Sequence, residues 1–551
     1  MKKTTTVLLL LFCFLLQSAS TASAQTVANQ ADVFAQIRKE GMDNSQIMRT
    51  LHYFTDVYGP RLTGSPNLLA AGNWAVKQMT DWGLENAHLE PWDFGHPGWV
   101  NVRASGFITA PVQDSLVFEV LAWTPGTKKA VQGQAFQLVI PTVPAPRDPN
   151  LPPSNLPPLQ LPPTQAELTA YFESVKSQIP GRMVLIGKPS VVPVNINPQP
   201  KRLDDKVVKE RFDPSATPQP FPTPAPTPAP REGQLTFQQV GEQLDKFLVD
   251  NKAAVRINDA GREHGQIRAF NNRSFDVTKT VPTVVMRNED FGRISRLMAD
   301  GSAVSLEFDI QNRSFPEKPN KKNGAKDEFI SYNTIGEITG TDRKDEVIML
   351  GGHLDSWHAA TGATDNAIGC AIMMEAARIL KTIGVKPRRT IRVALWSGEE
   401  QGLYGSTYYV RQHLGDLKDG SLIKGAEYDK ISAYYNLDNG TGKIRGVYLQ
   451  GNAAVKPIFE TWLAPFGDLG AKTLTLSNTG GTDHLPFDAV GIPGFQFIQD
   501  PVEYNTRTHH SNQDNYDRIQ AEDMKQASTI MAAFVYQTAM MDEKLPRKSA
   551  R

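Results

Sequence analysis

Five short strings in the second half of the chain gather side chains that bind cations or move protons. They are Gly351-Gly-His353-Leu-Asp355, Gly362-Ala-Thr-Asp365-Asn, Trp396-Ser-Gly-Glu399-Glu400, Asn436-Leu-Asp438 and Thr508-His509-His510-Ser-Asn-Gln-Asp514. His353 and Asp355 are two apart, so on extended backbone they share a side and Asp355 can orient the imidazole. Taken singly each string is weak, since a Glu-Glu pair is ordinarily a solvated surface and a lone histidine ordinarily structural. Together they are strong. Carboxylates that follow apolar strands would repel one another, and histidines gathered with them imply a cation. Two histidines and three carboxylates, one able to bridge, suit two Zn²⁺ ions about 3.5–4 Å apart, with one acid left as general base.

Those strings need a scaffold. Val347–Leu350, Thr390–Trp396 and Ile431–Leu437 are short apolar runs, each followed by a loop and helix-like sequence. This pattern predicts an α/β fold with a doubly wound, mostly parallel sheet, in which sites form beyond the carboxyl ends of the strands. Each of the first four strings follows such a run or opens the helix after it. Further upstream, Leu69, Ala70, Trp74, Ala75, Met79 and Trp82 recur at helical spacing before Gly83 stops the helix. A smaller α/β unit is expected from Met183–Ile186, Phe237–Val249, Ala253–Ile257, Thr283–Val285 and Asn288–Met298.

Proline is unevenly spread: 23 of the 39 prolines fall between Pro141 and Pro230. Residues 141–163 and 214–230 are expected as extended spacers, the second with polyproline II character. Met1–Ala24 has a basic start, an apolar run Val7–Leu16 and Ala22-Ser-Ala24, which together predict an export signal cleaved after Ala24. Ten apolar residues are too few to span a bilayer, which needs about 20, so no membrane span is expected and the product is placed in the periplasm or outside the cell. The chain carries 58 Lys+Arg and 58 Asp+Glu. Loss of Lys2 and Lys3 with the leader leaves 56 against 58, a balance that argues against nucleic-acid binding. Beyond Cys13 only Cys370 remains, which excludes an intramolecular disulfide and a thiolate zinc site.

The strings GGHLDSW, GATDN, SGEEQGLYGS, NLDNG and HHSNQD resemble those of the co-catalytic zinc exopeptidases, and so do GPRLTGS and GLENAHLEPW near the N-terminus. The resemblance covers most of 45–110 and 325–545. It implies two Zn²⁺ ions per subunit, with His353 on the first, Asp365 bridging and Glu400 as the other ligand of one. Asp438 with His510 are implied on the second; His510 is preferred to His509 because the ligand stands four before the acid, here Asp514. Glu399 is implied as general base and Asp355 as the acid that orients His353. Asn366 departs from a position that is often acidic. Tyr504 and Arg507 could read a substrate terminus, with a surface salt bridge the equal alternative for Arg507; His484 could touch substrate, with a structural role the preferred reading.

The implied organisation is a leader (1–24), a peptidase domain in two parts (25–104 and 317–551), and an inserted domain (105–316). That insert resembles the protease-associated domain of larger relatives, where it would lid the cleft or hold a homodimer. The implied activity is hydrolysis of short peptides, dipeptides favoured. An aminopeptidase on longer peptides is the close rival. A receptor-like binding protein on the same fold predicts lost ligands, and a glutaminyl cyclase a changed second ligand set; neither is seen.

Overall fold

The computed structural model describes residues 32–144, 160–212, 231–316 and 329–548. The predicted leader, the Lys-rich segment 318–326, most of the first proline-rich spacer and all of the second lie outside the described residues.

Two eight-stranded sheets carry the fold. In the first, the order is Glu85–Asp93, Ile330–Ile338, Arg389–Trp396, Arg343–His353, Ile431–Asn436, Gly494–Gln499, Ile444–Tyr448 and Thr473–Thr475. The four strands from Arg389–Trp396 to Gly494–Gln499 run parallel, and antiparallel strands flank them. Both faces are covered, and the alternation along each strand shows it. Ile348 and Leu350 enter one apolar cluster with the helices Ile368–Thr382 and Ala521–Met540, while Val347 and Met349 enter another with Tyr409, Leu414 and Phe487. Side chains two apart share a face, so a strand buried on both sides reads as a continuous apolar run. The helix Pro66–Asp81, whose first turn is capped by Ser65, packs on the outer strands.

The second sheet has a parallel centre, Val131–Leu138, Met183–Ile186, Val255–Asp259 and Thr283–Met286. Its helices include Phe237–Asp250, which opens with a Thr236–Gln239 capping box, and Asn288–Ala299. The long antiparallel pair Gly98–Ala110 and Ser305–Phe315 lies wholly in this sheet. The second unit therefore starts near Gly98 rather than at 105, because the strand that leaves the first sheet at Asp93 turns straight into the hairpin partner of Ser305–Phe315. Among the described residues no helix is long and apolar enough to cross a membrane.

Candidate metal centre

The acids and histidines meet at the carboxyl ends of the parallel strands. The strand Arg343–His353 ends on His353, and two glycines before it permit close packing there. A β-carbon on Gly351 would collide with the Ala394 carbonyl, and one on Gly352 would press within 3.2–3.3 Å on Asn366 and Gly369. The turn that carries Asp365 is thereby drawn against the strand. Asn366 secures that turn: its Oδ1 accepts from Gly369 N (3.0 Å) and its Nδ2 donates to the Leu437 carbonyl (3.0 Å). An ionised acid could not make the second bond, which explains asparagine here.

Asp365 sits between two histidines. His353 Nε2 is 3.3 Å from Asp365 Oδ1 and 3.5 Å from Asp438 Oδ1. His510 Nε2 is 3.3 Å from Asp365 Oδ2 and 3.0 Å from Glu400 Oε2. This corrects the pairing implied above: Asp438 goes with His353, and His510 with Glu400, each pair meeting a different oxygen of Asp365. His509 Nε2 stands farther from Asp365, at 3.9 Å. His510 adopts a left-handed backbone (φ 59°), as does Leu403 (φ 59°) after the Glu pair, an uncommon conformation that clusters at functional sites.

The electrostatics are unbalanced. Glu399 and Glu400 are driven well above the ordinary carboxylate range by burial and by the acids around them. Burial opposes a charged imidazole at His353, yet Glu399 and Asp438 raise it well above its usual value. Burial would also raise Asp365, but the His353 contact and the charges of His510 and His509 hold it low. His353 Nε2, Asp365 Oδ2, Glu400 Oε1 and Asp438 Oδ1 are buried with no hydrogen-bond partner. Orphaned buried polar atoms of this kind are costly unless an ion satisfies them. Ligands about 2.0–2.1 Å from a tetrahedral zinc lie about 3.3 Å apart, the spacing seen here, so the donor set fits the metal.

The supporting residues were only partly foreseen. His353 Nδ1 is 3.0 Å from the backbone carbonyl of Asp355, with the Asp355 carboxylate at 3.7 Å. That carboxylate instead accepts from the amides of Glu399 (3.3 Å) and Glu400 (3.2 Å) and from Thr63 Oγ1 (3.0 Å). Asp355 thus aims the Glu pair as much as the imidazole. Asp514, which entered the sequence argument only as a spacing marker, accepts from the amides of Thr364 (2.7 Å) and Asp365 (3.0 Å). Arg61, fully buried, donates to the carbonyls of Phe54, Leu354, Thr361 and Gly362 and so clamps the loop after His353. Its GPRLTGS string carried the signal. Asp483, buried beside Ser406 Oγ (2.5 Å) and pushed up to about 7 by burial, was missed because its position is set by folding.

A cleft of about 620 Å³ opens on Glu399, Glu400, Asp438, Gly480, Tyr504 and His510. Of the three expected substrate contacts, Tyr504 lines it. His484 is buried and bonded to the Thr479 carbonyl (3.1 Å), a structural histidine. Arg507 lines a separate pocket of about 220 Å³ with Glu263, His264 and Glu503.

Fold and site together define a zinc metallopeptidase of the exopeptidase class. Residues 333–535 match Peptidase family M28. Carboxypeptidase Q of Mus musculus is 25% identical over 529 residues, 95% of this chain and 92% of that one. Its Homo sapiens counterpart is 29% identical over 272 residues, 49% of this chain and only 52%, about half, of that protein. Among solved structures, a peptidase M28 precursor from Shewanella amazonensis superposes with a TM-score of 0.62 at 20% identity, covering 94% of this chain and 98% of that one. A zinc aminopeptidase from Bacillus subtilis superposes with a TM-score of 0.51 at 18% identity, covering 90% and 95%.

Proposed function

We propose that this protein is an exported di-zinc exopeptidase that hydrolyses short peptides, with dipeptides its main substrates. The observation that carries the reading is the splayed Asp365 carboxylate, one oxygen facing His353 and Asp438 and the other facing His510 and Glu400. In this assignment His353, Asp365 and Asp438 would hold one ion, and Asp365, Glu400 and His510 would hold the second. Bound zinc supplies Lewis acidity, which makes water more acidic and offsets charge on the carbonyl oxygen.

Glu399, kept basic and close by, takes the proton of the attacking water and returns it to the leaving amine. Asp355 holds Glu399 and Glu400 in place through their amides. Tyr504 is the donor we assign to the carbonyl oxygen: burial holds its phenol well above its usual pKa, so it stays protonated. The second sheet is assigned as an inserted domain of the protease-associated kind. Export rests on the leader sequence.

The test is a panel of dipeptides and of peptides blocked at either end, assayed with zinc and after exhaustive chelation. Cleavage that needs both termini free supports a dipeptidase; cleavage of long peptides needing only a free amine makes it an aminopeptidase. Full activity in the chelated enzyme overturns the metal assignment.

A further inference from the structure

The two candidate histidine ligands are held in different ways. His353 ends a central strand, its side chain is 1% exposed, and its Nδ1 donates to the Asp355 carbonyl (3.0 Å). A histidine that binds a metal through one ring nitrogen is ordinarily aimed by such a bond at the other. His510 stands on a loop with its side chain 27% exposed. Its Nε2 faces Asp365 and Glu400, but among the described residues no hydrogen bond holds its Nδ1. Its backbone is left-handed (φ 59°), a conformation that persists in a residue other than glycine only where the surroundings impose it.

Much of what surrounds it comes from the second unit. Ile267 and Asn512 exchange bonds, Asn512 N donating to the Ile267 carbonyl (2.9 Å) and Ile267 N donating to Asn512 Oδ1 (2.9 Å). Gln266 Nε2 donates to the Arg507 carbonyl, and Gln513 Nε2 to the His264 carbonyl (2.9 Å). The loop 264–267 is therefore tied to the segment 507–513 on both sides of His510. Ile267 and Ala269, fully buried in an apolar cluster with Val285, root that loop in its own unit.

The same loop supplies a ring. Phe270 meets the His510 imidazole edge-on, with centroids 5.4 Å apart and planes at 88°, a favoured aromatic geometry. It also meets Trp357 at 5.2 Å, on the loop that follows His353. Phe270 is fixed from behind: its carbonyl accepts from Ala122 N (2.9 Å), and Asn272 N donates to the Ala122 carbonyl (2.9 Å). The other aromatic neighbour of His510 is His509 at 3.8 Å. That ring rides on the same loop, so it cannot hold His510 against the sheet. Phe270 can, because it is anchored elsewhere.

We propose that the second unit sets the affinity of one of the two zinc sites: Phe270 takes the place of the missing Nδ1 bond and holds the His510 imidazole on line with Asp365 and Glu400. Phe270 is thus a positioning residue that acts through His510. The inference rests on the di-zinc assignment above and divides its two sites. The His353–Asp438 site is built within the catalytic sheet and its loops. The His510–Glu400 site is complete only when the loop 264–270 is docked, so its ion is the one whose binding reports the contact between the units.

The full-length apoprotein, wild type and F270A, is titrated with Zn²⁺ against a competing chelator, and zinc bound per chain is read by atomic absorption. Wild type is expected to bind two ions. F270A should bind one as tightly as wild type and the other about 10- to 100-fold more weakly, the loss typical when an outer partner of a metal ligand is removed. H510A should keep only the unaffected ion. Adding F270A to H510A should change nothing further, since both substitutions act on one site. F270L, which keeps apolar bulk without the ring, replaces F270A if the thermal midpoint of the apoprotein shows that F270A does not fold. Unchanged binding in F270A overturns the proposal, as does equal weakening of both ions or a weaker remaining ion when F270A is added to H510A. Those results leave the di-zinc reading intact. Fewer than two ions in wild type overturns both, and so is told apart.

Discussion

Two clusters of buried acids stand on the same sheet, and they are resolved in opposite ways. Asp500, fully buried just beyond the strand Gly494–Gln499, accepts from Arg445 at 2.8 Å, from Arg202 at 3.3 Å and from Leu203 N at 3.2 Å. Arg202 also pairs with Asp523 at 2.8 Å, and Arg445 pairs with Asp205. Every charge there has a partner of opposite sign, and the cluster straps the segment around Leu203 onto the catalytic sheet. Around Asp365, by contrast, the acids meet histidines and one another, and four of their polar atoms have no partner. A buried acid supplied with arginines is architecture. A buried set of acids left without them is waiting for a cation.

That contrast can be broken by substitution. The largest effect is expected from Glu399→Ala, which should lower kcat by about 10²–10⁴ while zinc content stays at the wild-type level. Retention of more than about a tenth of the activity removes Glu399 from the role of base. Next, Arg445→Met should destabilise the fold by about 3–5 kcal/mol, because it strands Asp500 without its nearest guanidinium. Denaturant unfolding reads the loss, and kcat and zinc content should not follow it; parallel loss of zinc would mean that the two clusters are one unit.

Metal removal gives the converse. Chelation should lower the unfolding midpoint of the wild type, since an ion bound only by the folded state stabilises it, by about 4 kcal/mol when free metal is 1,000 times Kd. Asp365→Asn should abolish that dependence on zinc, and a variant still stabilised by zinc would show that the ion binds elsewhere.

The smallest effect concerns a third kind of buried acid. Glu119, in the short strand Phe118–Val120 of the second sheet, is pushed up to about 7 by burial alone. Its folded pKa lies above the unfolded value, so the fold binds the proton more tightly. Stability is then full below about pH 4.5, falls as pH rises through 7, and levels off above it. Glu119→Gln should therefore raise the unfolding midpoint at pH 8 and leave it nearly unchanged at pH 4.5, a difference worth at most about 3 kcal/mol. An equal shift at both values would assign the effect to something other than titration.

Much of this was legible before any coordinates. The apolar runs at 347–350, 390–396 and 431–437 are central strands because a strand covered on both faces needs no polar alternation, and the helices at 66–81, 237–250 and 288–299 showed their amphipathic spacing. The strands Ile330–Ile338 and Gly494–Gln499 escaped notice, since neither carries the chemistry that drew attention to its neighbours. The unit boundary near Gly98 was also hidden, because hairpin pairing with residues about 200 positions later leaves no local mark. The acids and histidines were gathered from their types and places at strand ends, and the resemblance to the zinc exopeptidases singled out the five ligand candidates and Glu399 among them. What could not be named was who pairs with whom.

The sequence by itself determined the chemistry: which side chains are present, that they follow apolar strands, and that only a cation would reconcile them. Local types and spacing suffice for that, because the need to neutralise buried charge does not depend on the details of packing. The tertiary structure alone decided the geometry. It set His353 with Asp438 and His510 with Glu400 across the two oxygens of Asp365, and placed Arg507 in a separate pocket. Those are through-space relations between residues far apart in the chain, and a separation of a few ångströms is fixed only when the sheets, turns and docked loops are packed together.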